Sequence, residues 1–146
     1  MTVYIAHESR NCLDLTPAQE FGDIEFVFTR DFSAGFNPKE ATVIASKMLE
    51  NFDFDKDYFL IAGGDPIAGM IASMALTEYA DPERDQTLKT LRYTKDFDVE
   101  GNRTIPRYVE IHVTIWGKNL WQINKESYKL KKTPSLISFN FIKFLF

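Results

Sequence analysis

The sequence is short of residues that cross-link or ligate, with one cysteine and two histidines among 146 positions. Cys12 has no partner for an internal disulfide and no local basic helix terminus to activate it, so it reads as an inert thiol. Two histidines with one cysteine fall short of a common structural zinc site, so no metal is expected. A reducing cytosol is the natural compartment. No uninterrupted apolar run approaches membrane-spanning length, and the opening MTVYIAHESRN lacks a basic leader followed by a long apolar stretch. The expectation is a soluble, unexported, cytoplasmic chain with no transmembrane segment.

Basic charge is scarce where a nucleic-acid surface would need it. Through Trp116 there are 11 Lys and Arg against 20 Asp and Glu, whereas from Gly117 onward there are six Lys against one Glu. An acidic body argues against broad phosphate-backbone binding, which needs a concentrated basic face. Its carboxylates read as solvated surface. The length suits a single domain with an ordinary core.

What is present is organised around residues 58–80, YFLIAGGDPIAGMIASMALTEYA. Residues 58–62 are an apolar run of strand length, broken by Gly63 and Gly64. Asp65 is a good N-cap and Pro66 suits the first helical position, while Ile67, Met70, Ile71, Met74 and Ala75 recur along one helical stripe. This spacing predicts a strand, a tight turn and a helix.

The preceding chain repeats that grammar. Residues 2–6 (TVYIA) read as a first strand, Thr16 and Pro17 as a short helix start that Gly22 ends, and residues 23–29 (DIEFVFT) as a second strand. Asn37 and Pro38 open a helix whose apolar stripe is Ala41, Ile44, Ala45, Met48, Leu49 and Phe52. Alternation of strands and helices predicts a mostly parallel sheet with right-handed crossovers. Beyond Ala80 no helical stripe separates residues 88–94 from residues 108–116, which predicts an antiparallel hairpin at one edge of the sheet. In its second strand Val109, Ile111, Val113 and Ile115 take one side, and Tyr108, Glu110, His112 and Thr114 the other.

The fold class expected is therefore α/β: a small three-layer domain over residues 1–116, helices on both faces, flavodoxin or Rossmann-like order 2-1-3-4-5, and a C-terminal antiparallel hairpin. Residues 117–146 form a basic, apolar-ended extension without a clean period. It reads as a peripheral helix with a docked final strand, as an amphipathic segment for a membrane surface, or as a tail not shaped with the body.

In open parallel sheets ligands bind beyond the carboxyl ends of the strands, where strand order reverses. With order 2-1-3, three loops share that rim and supply the candidate residues. They are His7, Glu8, Ser9, Arg10 and Asn11 from the first, Arg30, Asp31 and Ser33 from the second, and Gly63, Gly64 and Asp65 from the third. His7, Glu8, Ser9 and Arg10 offer a base, an acid, a nucleophile and an anion clamp, yet adjacent residues rarely point at one another, and a solvated loop is the plainer reading. Gly64 and Gly69 have P-loop separation, but Met70 and Ile71 stand where Lys and Ser or Thr are required. Pro66 also removes an amide donor, and Asp65 puts a carboxylate where a phosphate would sit, so a tight turn with an ordinary N-cap is preferred. Asp53, Asp55 and Asp57 lack the Gly and terminal Glu of an EF-hand, and His112 reads as a surface residue. No cofactor motif is complete.

The blocks LTPAQEFGDIEFVF, FDFDKDYFLIAGGDPIAGMIASMAL and RYVEIHV, in this order and spacing, resemble a family of small, functionally uncharacterised proteins of tailed bacteriophages. The likeness spans most of residues 2–115. It implies a phage accessory protein working in an infected bacterium and carries over no catalytic residue. Family members end soon after the RYVEI-like strand, so the last thirty or so residues here, and a longer loop before Arg107, depart from the pattern. The leading expectation is a non-enzymatic module that binds a host or phage protein. The alternative is a small-ligand or nucleotide-binding enzyme using the three-loop rim.

Overall fold

The computed structural model describes residues 1–11, 13–94, 100–102 and 107–117. Cys12 and the extension after Gly117 lie outside the described residues. The β-branched and aromatic start forms β1, Thr2–His7, whose side chains alternate between two buried faces. Val3 and Ile5 point to one, and Tyr4 and Ala6 to the other. A strand covered on both sides must be central. It is flanked in parallel by β2, Asp23–Phe28, and β3, Tyr58–Leu60, with Ile5 beside both Phe26 and Leu60. The order β2-β1-β3 is the one expected from the sequence.

Because β2 and β3 lie on opposite sides of β1, right-handed connections must use opposite faces. A 3-10 helix, Thr16–Phe21, joins β1 to β2 and buries Ala18 with Val3 and Ile5. Helix α1, Pro38–Leu49, joins β2 to β3 and buries Ala41, Ala45 and Leu49 with Tyr4 and Ala6. Helix α2, Pro66–Glu78, follows β3 and lies beside α1 on that same face. Both α-helices therefore cover one face, and the 3-10 helix with a hairpin covers the other. The expectation of helices on both faces holds only in that reduced form. Burying a side chain such as Ile5 or Leu49 contributes about 1.5–3 kcal/mol, so these facing rows carry the layer contacts.

The hairpin pairs β4, Gln86–Thr94, with β5, Arg107–Ile115, in register from Gln86 opposite Ile115 to Thr94 opposite Arg107. It is a separate two-stranded sheet. Strand β4 packs beside β3 without joining its ladder, so the continuous 2-1-3-4-5 sheet expected from the sequence gives way to a sheet of three strands and a docked hairpin. Strand β5 does not split into an apolar inner and a polar outer side: Tyr108 is buried with Leu91 and Tyr58 Oη donates to Glu110 Oε2 at 2.8 Å, while His112 and Thr114 are exposed and Ile115 packs on the core from the other side. Val109, Ile111 and Val113 face outward and are 37, 37 and 45% exposed.

Two further details differ from expectation. In α2 the buried row is Ala68, Gly69, Ile71, Ala72, Ala75 and Leu76, whereas Ile67, Met70 and Met74 are 41, 53 and 62% exposed. The expected stripe is thus split between inside and outside. The acidic turn before β3 closes on the chain itself: the Thr2 amide donates to Asp57 Oδ1 at 2.8 Å and the Asp53 amide to Asp57 Oδ2 at 3.0 Å. Asp53 accepts the Asp55 amide and pairs with Lys56, and these contacts, the amide first, hold its carboxyl below the usual range.

Candidate functional site

The carboxyl ends of β1, β2 and β3 bring the three candidate loops together. His7 ends β1, only 6% exposed, and both its ring nitrogens are engaged by backbone. The Asp65 amide donates to Nδ1 at 2.8 Å, and Nε2 lies 3.1 Å from the Thr29 carbonyl oxygen. An acceptor at Nδ1 and a donor at Nε2 define the tautomer protonated on Nε2. The imidazole is thereby a bridge between the loops that follow β2 and β3, with no nitrogen left for a substrate proton.

The glycine pair is what lets the third loop approach. Gly64 has φ +76°, and a Cβ there would sit 2.7 Å from His7 Nδ1. Gly63 has φ +70°, and its Cβ would meet Leu13 and Ser9 at 3.1–3.2 Å. Only glycine adopts this left-handed backbone without strain while passing so close to the imidazole. Asp65 then caps α2, its Oδ1 accepting the Ile67 amide at 2.9 Å. The carboxylate occupies the helix N-terminus, and Pro66 has no amide to offer there.

Glu8 and Arg30 join the first and second loops. The Glu8 amide donates to the Phe28 carbonyl at 3.0 Å, extending β1 past its end. Its carboxylate accepts the Arg30 amide at 3.1 Å on Oε2 and Arg30 Nη2 at 3.0 Å on Oε1. With the two side chains 43 and 31% exposed, water screens the pair and its worth is about 1 kcal/mol or less. Arg30 Nε is buried and has no hydrogen-bond partner among the described residues. Ser9 Oγ accepts the Asn11 amide at 3.1 Å, Ser33 is half-buried, and Arg10, Asn11 and Asp31 lie exposed at the periphery.

Below these loops, on the face away from α1 and α2, is a cavity of about 290 Å³. Its walls are Ile5, Leu13, Leu15, Phe26 and Ala62, and its polar margin is Glu8, Ser9 and Arg30. Three of the candidate residues thus line it. The apolar walls were missed by a reading that sought charged groups. Leu13 and Leu15, two leucines beside an otherwise polar loop, were the available signal.

A second polar group sits between β3 and β5. Tyr58, Glu110 and His112 form a chain in which Tyr58 Oη and His112 Nε2 both contact the Glu110 carboxylate. His112 first, then Tyr58, holds the Glu110 carboxyl below its usual range. Burial, reinforced by Glu110, pushes the Tyr58 phenol up to about 12. Lys89 lies 5.7 Å from the Tyr58 ring centroid and donates to the Asp55 carbonyl. A phenol held protonated in this way is a strut between β3 and β5.

Among the described residues no group of His, Cys, Asp and Glu is arranged to hold a metal ion, and no helix is long and apolar enough to cross a membrane. No curated protein and no solved structure matches the chain. The model of one family, Phage Pam3 gp32-like protein, matches residues 1–100, from the first strand through β4 and short of β5. That match covers β1 to β3, both α-helices and all three rim loops, and by it the chain belongs to the Phage Pam3 gp32-like protein family.

Proposed function

We propose that this phage protein works in the cytoplasm of the infected bacterium as a non-enzymatic module that holds another protein, of the host or of the phage. The observation that supports it is the outward row of α2. Ile67, Met70 and Met74 follow one another at helical spacing and are each 41% exposed or more. An apolar row on a rigid helix is what helix-in-groove pairing presents, and methionine adapts to the surface it meets. The rim adds support from the other side, since His7, Glu8 and Asp65 already serve neighbouring loops. The same reading treats residues 1–116 as the folded body and the basic extension as an addition to it. Buried Gly117, whose amide donates to Asp85 Oδ1 at 3.0 Å, supports a boundary near that point.

Affinity capture from infected cells with the full chain tests this, when the captured protein is purified and its binding remeasured against Met70→Glu and Met74→Glu. Either change is expected to weaken binding by about tenfold or more, as for an interface anchor, while the thermal midpoint holds. Equal binding by the variants would remove the α2 reading. Turnover of a defined substrate by the purified chain, lost in folded His7→Ala, would replace the module with an enzyme.

The alternative, a small-ligand or nucleotide-binding enzyme at the rim, draws support from the convergence of the three loops. Its nucleotide form is the weaker one, because Asp65 sets a carboxylate at the start of α2.

A further inference from the structure

We propose that the cavity beneath the rim binds a small, uncharged, mostly apolar molecule that carries one hydrogen-bond acceptor. The walls set the apolar part. Ile5 and Phe26 are ladder neighbours on β1 and β2, and with Leu13, Leu15 and Ala62 they line a cleft, open on one side, of about 290 Å³. A dry cavity of about half that volume accommodates benzene, so the space suits a molecule of about a dozen non-hydrogen atoms. The margin sets the polar part. Arg30 stands at this margin, but its Nε–H is buried out of reach of a molecule in the cavity, and its guanidinium serves Glu8. Ser9 lines the same margin, and its Oγ accepts from the Asn11 amide, so the hydroxyl proton is available to donate to a ligand oxygen.

Charge chooses between a neutral acceptor and an anion. The Arg30 guanidinium is already matched by Glu8, whose carboxylate stands at the same margin. A ligand carboxylate would have to displace Glu8 or lie beside it, and like charges at that distance repel. A carbonyl or amide oxygen meets the Ser9 hydroxyl without disturbing the pair. This site lies on the opposite face of the sheet from α2, so its fate is independent of the protein-binding reading above.

The test is an amide-resonance titration of the full chain with phenylacetamide and, separately, with phenylacetate, two probes of nearly equal shape that differ in charge. Phenylacetamide is expected to saturate with a dissociation constant on the order of 1 mM, as befits a fragment of its size. The Ser9, Arg30 and Ala62 amides should move most. Phenylacetate should bind about tenfold more weakly. Ser9→Ala, which removes the hydroxyl donor and leaves the Glu8–Arg30 pair intact, should weaken phenylacetamide about fivefold. Ala62→Phe should fill the cavity and abolish saturable shifts; should that variant fail to fold, Leu13→Trp at the exposed border makes the same test. Absence of saturation, phenylacetate binding as tightly as phenylacetamide, or unchanged binding in a folded cavity-filling variant would overturn the proposal.

Discussion

The rim at the carboxyl end of β3 and the contact between β3 and the hairpin strand β5 are held by different means. At the carboxyl end side chains bind backbone: His7 takes the Asp65 amide and faces the Thr29 carbonyl, and Glu8 takes the Arg30 amide. Between β3 and β5 the contact is between side chains, with Glu110 receiving Tyr58 and contacting His112. A side chain that holds backbone fixes the path of a loop, so the rim tolerates little change in where its chain runs. Side chains that hold one another fix only how two surfaces dock. The rim is therefore built as one piece with the parallel sheet, and the hairpin is fastened to it.

The largest expected effect breaks the rim at its closest approach. Gly64 and Gly101 both have positive φ, +76° and +82°, but a Cβ on Gly64 would meet the His7 ring whereas one on Gly101 meets nothing within 4 Å. Both alanine variants carry the left-handed strain, about 1–2 kcal/mol. Gly64→Ala adds displacement of a buried imidazole and should cost about 3 kcal/mol in all, against about 1 kcal/mol for Gly101→Ala. Urea midpoints at unchanged slope measure both. Equal losses would mean that the third loop has room to move off His7, and the contrast between the rim and the hairpin contact would fail.

A pH series sharpens the other side of the comparison. The Tyr58 phenol ionises near 10 when unfolded and at about 12 in the folded chain, because burial and then the Glu110 carboxylate oppose the phenolate. The folded state thus keeps a proton that the unfolded state loses. Its stabilising contribution is complete below pH 10 and disappears as pH rises to about 12, a loss on the order of 2 kcal/mol. Tyr58→Phe should flatten that slope. Some of it will remain, since burial also raises Tyr4 and Tyr108. If the slope is unchanged in Tyr58→Phe, the strut is not what couples β3 to β5.

The parallel core was legible because its signals are local. Alternation in residues 2–6 and the Asn-Pro and Asp-Pro starts each act over a few positions, and for the preferred order β2-β1-β3 right-handed crossovers put the two connections on opposite faces. The rim was legible as a place and not as a chemistry. The partners of His7 are backbone atoms of residues 29 and 65, and backbone atoms leave no mark in residue identity. Helix α2 misled for a packing reason. It is apolar nearly all round, and the row it buries is rich in small residues, Ala68, Gly69, Ala72 and Ala75, which allow close approach; a Cβ on Gly69 would already lie 3.3 Å from Ile61. The longer Ile67, Met70 and Met74 are left outside. In β5 the alternation identified two sides, yet what turns inward is set by Tyr108, by the Tyr58–Glu110 bond across 52 positions, and by Ile115, which packs on the core from the other side.

The smallest expected effect is the one that most directly tests the outward face of the hairpin. Ile111 is 37% exposed and stands opposite Thr90 in the ladder. Threonine is as β-branched as isoleucine and suits a strand, so Ile111→Thr keeps the backbone preference and removes apolar surface that is only partly buried. The cost should lie within about 0.5 kcal/mol. The same exchange at Ile5, which is 1% exposed between β2 and β3, would bury an unpaired hydroxyl and should cost several times more. A loss at Ile111 comparable to that at Ile5 would mean that Val109, Ile111 and Val113 are covered in solution. The hairpin would then be an inner layer of a larger packing unit, and its outward apolar row would join α2 as a surface the protein uses.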